Sequence, residues 1–167
     1  MPSLSAQYDP AIGPLINLFL SPPAVMKQMV ATTAPGSATS PAPPSSPSGI
    51  VAASALIDTG ASITSVTSIL AAQVGLPLIG KRNLQTAGGT ISANVYVADI
   101  AVPFGTIPAG AAGAQVHVAN VDTAMLENVI VMEFQCASPN FNMLLGRDIL
   151  CRGIFSIGFD RRYTFSL

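Results

Sequence analysis

Apolar positions along the chain fall into short alternating runs broken by Gly, Pro, Ser and Asn, a period of two that predicts strands. Pro14-Leu15-Ile16-Asn17-Leu18-Phe19-Leu20 is the first, closed by Ser21-Pro22-Pro23, and Ala24 to Val30 suits a short helix. Ile50 to Ile57 is the second strand. Beyond it Val66, Ile69, Leu70 and Val74 fall at helical spacing, with Thr64 or Ser65 as cap and Gly75 followed by Pro77 as stop. Asn83 to Thr86 and Ile91 to Val97 flank Ala87-Gly88-Gly89-Thr90, a hairpin signal with two glycines at its tip. Asp99 to Phe104, Gln115 to Val121 and Asn128 to Phe134 are further strands, with Gly105 to Gly113 as a loop. Met143-Leu144-Leu145 runs into Gly146-Arg147-Asp148 and a short helical piece. Phe155, Ile157 and Phe159 then alternate, Asp160-Arg161-Arg162 turns, and Tyr163, Phe165 and Leu167 alternate again as a terminal hairpin. Helical pieces are short and few, so the pattern predicts an all-β domain.

Composition changes this picture in two places. Met1 to Gly13 shows no periodicity and reads as a disordered terminus. Thr32 to Ser48 is almost wholly Ala, Ser, Thr, Pro and Gly, which cannot bury enough apolar surface to order itself, so a flexible loop is expected inside one domain spanning 14–167. The 167 residues are 50% hydrophobic and only 9% charged. So much apolar surface favours cover by a partner, hence an oligomer. Seven basic residues against eight acidic ones, with no basic stripe, argue against nucleic acid as a partner. No apolar run approaches the roughly 20 residues that span a bilayer, and the basic start and apolar run of a secretory signal are missing. No membrane partner is therefore expected, and the cytoplasm is the expected location. Cys136 and Cys151 are too few for a disulfide scaffold and read as buried thiols; with His117 they do not make a metal site.

Candidate chemistry narrows quickly. Gly75 to Arg82 has the spacing of a phosphate-cradling loop, but Arg82 stands where a hydroxyl would bind magnesium, and the segment follows a helix instead of a strand. His117 lacks a nucleophile in motif context. Glu127, Glu133, Asp99, Asp122 and Asp160 read as solvated strand ends or turns. Asp58 is different, because Ala55-Leu56-Ile57 demands burial and Thr59-Gly60-Ala61-Ser62 turns sharply with small side chains, so the carboxylate leaves a strand inside a packed domain. Its plain alternative is a strand-ending Asp that bonds its own downstream amides.

Leu56-Ile57-Asp58-Thr59-Gly60-Ala61, followed some eighty residues later by Leu144-Leu145-Gly146-Arg147-Asp148, resembles the retropepsin-like aspartic proteases. The resemblance runs from about Pro14 to Leu167 and weakens in Thr32 to Ser48 and Gly105 to Val121. It implies a closed or partly open β-barrel with one or two short helices, active as a two-fold homodimer, that cleaves peptide or protein substrates without a cofactor. Asp58 would be the catalytic aspartate, Thr59 would bond across the two-fold, and the Gly60 amide would bond the carboxylates. Ala61 would keep space beside the pair. Ala87, Gly88, Gly89 and Thr90 would form a flap over the substrate. Leu144, Leu145 and Gly146 would support the catalytic loop from behind. Tyr163 to Leu167, and Pro14 to Leu20, would build an intersubunit sheet. In many retroviral members the residue at Ser62 is acidic and pairs with the arginine matching Arg147; here Asp148 or a carboxylate of the other chain is expected to compensate if Arg147 is buried. The competing readings are a catalytically silent dimerisation or peptide-binding module on the same fold, and a β-rich structural domain in which Asp58 only ends a strand.

Overall fold

Ten strands and two helices make up the described residues, 1–23, 49–86, 89–104, 122–135 and 138–167 of a computed structural model. In chain order they are β1 (Ser3–Gln7), β2 (Leu15–Ser21), β3 (Val51–Ile57), β4 (Ser65–Thr67), α1 (Ser68–Val74), β5 (Leu78–Thr86), β6 (Gly89–Phe104), β7 (Asp122–Phe134), β8 (Met143–Leu145), α2 (Arg147–Leu150), β9 (Ile154–Ile157) and β10 (Arg162–Ser166). Alternation places Ile16, Leu18 and Leu20 of β2, and Ala53, Ala55 and Ile57 of β3, inside one core. The larger sheet runs β2-β3-β8-β4-β7-β6-β5, and β2 pairs again with β6, which closes a six-stranded barrel. The expected all-β barrel with two short helices is therefore present. The second sheet, β1-β10-β9, holds the two ends of the chain.

Several expectations are corrected by this packing. Met1 to Gly13 is not a disordered terminus: β1 pairs residue by residue with β10, from Ser3 opposite Ser166 to Gln7 opposite Arg162. Its mostly exposed side chains leave no apolar pattern: backbone pairing with β10 holds it, helped by Leu4 packed against the core and a hydrogen bond of 2.9 Å between the Ser5 and Thr164 hydroxyls. Val66 belongs to β4 instead of a helix, since β4 lies between β7 and β8 and is buried from both sides. The helix starts later, capped by Thr67, whose hydroxyl accepts the Leu70 N–H at 3.3 Å. Pro14 to Leu20 contributes to the barrel, not to the terminal sheet. Cys151 is exposed at the end of α2. Asp99 is buried in the middle of β6, which absorbs the two strands expected on either side of it. There β7 bulges, and Asp99 Oδ1 accepts the N–H of Asn128, a residue at φ 53°. Glu133 is half-buried rather than solvated and accepts hydrogen bonds from Asn94 Nδ2 and the Tyr96 hydroxyl. Ala24 to Val30, Thr32 to Ser48, Gly105 to Gly113, Gln115 to Val121 and Cys136 lie outside the described residues.

Tyr163 ties the two sheets together, its ring buried and its hydroxyl donating to the carbonyl of Leu15. Burial pushes this phenol above its ordinary value of 10.0. The folded chain thus holds a proton that the unfolded chain releases sooner, so the contribution is complete below about pH 10 and is lost as pH rises beyond it. Denaturation midpoints followed upward from neutral pH should fall above about pH 10, and Tyr163→Phe should blunt that fall while lowering stability at pH 7 by roughly 1 kcal/mol through the lost hydrogen bond.

Candidate active site

The parallel pairing of β3 with β8 sets Leu56 beside Leu144 and Ile57 beside Leu145, and β8 pairs on its other edge with β4. Asp58 continues the first pair by one bond, its N–H donating to the Leu145 carbonyl at 3.1 Å. The chain then turns. Asp58 Oδ1 accepts the N–H of Gly60 at 2.8 Å and of Ala61 at 3.2 Å, while no donor among the described residues reaches Oδ2. One carboxylate oxygen is thus spent on fixing the side chain and the other is free for chemistry. Asp58 is half-exposed, and Thr59 and Gly60 at the tip are exposed.

A second loop locks this one from behind. Arg147 N–H donates to the Ala61 carbonyl at 3.0 Å. Thr64, fully buried, accepts the Gly146 N–H on its hydroxyl at 3.1 Å and donates that hydroxyl to Asp148 Oδ1 at 2.8 Å. Asp148 Oδ1 also takes the N–H groups of Thr64 and Ile149, both at 3.0 Å. Gly146 has no room for a side chain, because a Cβ there would lie 2.6 Å from the Ile63 carbonyl carbon and 2.7 Å from the Thr64 nitrogen. Arg147 is exposed and finds Ser62 itself, Nη2 to Oγ at 2.8 Å. The expected need for a carboxylate partner therefore disappears: Asp148 serves Thr64, and the guanidinium keeps its water.

Asp58, Gly60, Ala61 and Ser62 are thus brought against Leu145, Gly146, Arg147 and Asp148, with Leu144 one residue behind. Gly89 and Thr90 open β6 opposite Thr86 and Gln85, at the end of a long β5–β6 hairpin; Ala87 and Gly88 lie outside the described residues. Thr64 is the residue that sequence reasoning missed, having been expected only as a helix cap. A cavity of about 550 Å³ lined by Thr67, Ile69, Gln73, Phe134, Phe141 and Asn142 contains none of these groups. Thr64→Val keeps the shape but strands the buried Gly146 N–H, so it should cost about 2 kcal/mol in urea unfolding, whereas Thr64→Ser should recover most of it.

Comparison with known proteins agrees with this geometry. The aspartyl protease family profile matches residues 48–149, a span that includes both loops. A retropepsin-like aspartic protease from Rickettsia conorii has a similar solved structure, with TM-score 0.56 and 16% identity over 98% of this chain and 89% of that one. At that identity the likeness speaks for the fold alone. No curated protein sequence matches the chain. No helix among the described residues is long and apolar enough to cross a membrane.

Proposed function

The chain belongs to the aspartyl protease family, of the retropepsin-like kind, and from that premise we propose that it is an endopeptidase formed by two copies, in which Asp58 of each activates the attacking water. The observation that carries this is the fixed carboxylate: Oδ1 of Asp58 is held by the Gly60 and Ala61 amides, and Oδ2 is left to face a second acid. The chain contains one Asp-Thr-Gly, so that second acid comes from another copy.

Two carboxylates about 3 Å apart cannot both ionise and share one proton. The charged member takes a proton from the water as its oxygen attacks the peptide carbonyl carbon, and the protonated member gives its proton to the carbonyl oxygen. Collapse of the tetrahedral adduct breaks the C–N bond: the amine leaves with the proton taken from the water, a hydroxyl of the adduct returns its proton to the other carboxylate as the carbonyl re-forms, and the pair again shares one proton. The Gly60 amide steadies the carboxylate, Thr59 bonds to its counterpart across the two-fold, and Ala61 leaves room for the substrate backbone. Gly88 and Gly89, with Ala87 and Thr90, form a flap that closes over the peptide and excludes water. The substrate lies extended and is gripped as an added strand, with apolar or small side chains favoured by walls of so little charge. The test incubates wild type and Asp58→Asn with a disordered protein between about pH 3 and 7, the range in which paired carboxylates titrate, and reads products by mass spectrometry. Cleavage by wild type alone supports the proposal; no cleavage by folded, dimeric wild type turns the reading to a peptide-binding module.

A further inference from the structure

Arg147 keeps a charge that its own chain does not compensate. Among the described residues its guanidinium makes one hydrogen bond, to the neutral hydroxyl of Ser62, and the group carries more donors than that bond uses. All eight side-chain carboxylates of the chain lie among the described residues, and none of them is paired with Arg147. The adjacent acid is turned away. Asp148 Oδ1 is taken up by the Thr64 hydroxyl and by the N–H groups of Thr64 and Ile149, while the Arg147 side chain is exposed.

Nor is this a loose surface charge. The Arg147 N–H holds the Ala61 carbonyl, the Ala61 N–H holds Asp58 Oδ1, and the guanidinium closes on Ser62, so both ends of Arg147 are tied to the loop that carries Asp58. Four residues of chain reach at most about 14 Å, which bounds the separation of Ser62 from Asp58. On the far side of Ser62, Ile63 packs against Ala93, Val95 and Met132, with Leu84 of β5 beside them. Along the chain the guanidinium therefore sits between the candidate catalytic acid and the packing of the β5–β6 hairpin. That hairpin brings a second cation to the same side, since Arg82 pairs with Ala93 and opposed residues of an antiparallel pair share a face.

We propose that Arg147, steadied by Ser62, is a substrate-binding residue that receives an acidic side chain of the peptide, a glutamate or aspartate within about four residues of the cleaved bond. The planar guanidinium offers parallel N–H donors that match the two oxygens of a carboxylate. A carboxylate arriving there displaces only the water that now covers the exposed donors, and the bond to Ser62 has already restricted the long side chain, which lowers the cost of ordering it on binding. The preferred substrate is then apolar next to the cleaved bond and carries an acid farther out. Two copies of the chain supply one such guanidinium on each side of the bond. This inference rests on the peptidase reading of Asp58, and its test separates the two.

Apolar peptides that differ only by Glu or Gln, placed in turn at each position within about four residues of the cleaved bond, provide the test. It is run at about pH 5.5, where a glutamate with its ordinary value of about 4.3 is charged. At one or more positions wild type should favour Glu over Gln by about fivefold in kcat/KM, the scale of a well-formed, partly exposed ion pair. Salt raised to about 0.5 M should shrink that ratio. Arg147→Gln should erase the preference, and Arg147→Glu should replace it with one for Lys at the same position. Each ratio is taken within one protein, so a general loss of activity does not move it, and the replaced side chain bonds only an exposed hydroxyl, so the fold survives. Indifference of wild type at every position overturns the proposal, as does a Glu preference that survives Arg147→Gln. If wild type cleaves no peptide, the peptidase reading falls alone, and binding of the same peptides, labelled and followed by fluorescence anisotropy, decides this one. Tighter binding of the Glu peptide that Arg147→Gln abolishes supports it, and equal binding or none overturns it.

Discussion

Asp58→Asn is expected to abolish peptidase activity, by about a thousandfold or more in kcat, the scale on which positioned acid–base groups act. The substitution keeps the shape of the side chain and one acceptor oxygen for the Gly60 and Ala61 amides. The turn should hold, and the thermal midpoint should stay within a few degrees of wild type, since surface changes that spare such bonds are worth about 0.5 kcal/mol. The more informative experiment mixes the two proteins. If each site draws one carboxylate from each chain, the inactive variant captures wild-type subunits. Equal amounts of variant should then lower activity to about one half after exchange, because random pairing leaves that share of the original homodimers. A larger excess should silence it further. Activity that ignores added variant means a site complete within one chain and sinks the shared-carboxylate mechanism, whatever the single mutant does.

The site was legible in the sequence where burial and turn chemistry coincide. Leu56-Ile57 must go inside and Gly60 must turn, which leaves Asp58 at the mouth of a strand, and the same grammar recurs at Leu144-Leu145-Gly146. The β2 and β3 alternation was equally plain, because one face of each meets the core. Less was legible where a partner far along the chain decides. Thr64 looks like any capping hydroxyl until Asp148, 84 residues away, is folded against it. Val66 joined a helical pattern by accident of spacing, and only its two strand neighbours show why it is extended. β1 has no apolar signal because its partner offers backbone bonds, and an acid as buried as Asp99 needs the Asn128 amide at a bulge that spacing does not reveal.

Gly146→Ala should be among the most damaging single methyl groups this chain can receive. The backbone at Gly146 is extended, with φ −86° and ψ 176°, so an alanine meets no conformational penalty there. The obstacle is space alone. The nearest atoms to its Cβ would be the Ile63 carbonyl carbon at 2.6 Å and the Thr64 nitrogen at 2.7 Å, with Asp148 Oδ1 at 2.9 Å. Two of these are main-chain atoms, which cannot rotate away as a side chain can. Relief requires the Gly146 loop to withdraw from Ile63-Thr64, which lengthens the Gly146-to-Thr64 and Thr64-to-Asp148 hydrogen bonds together. Overpacking against backbone combined with loss of such bonds should cost about 3 kcal/mol, and for a domain of this size that lowers the melting point by roughly 6–12 °C. Because the same loop holds the Ala61 carbonyl through the Arg147 amide, the Asp58 turn should loosen as well, and activity should fall even at temperatures where the variant is still folded. Gly80→Ala is the matched control: it adds the same methyl to an exposed glycine with nothing within 4 Å of the new Cβ, and should change neither melting point nor activity. A Gly146→Ala protein that melts and cleaves like the control would show that the two loops are not packed as closely as described.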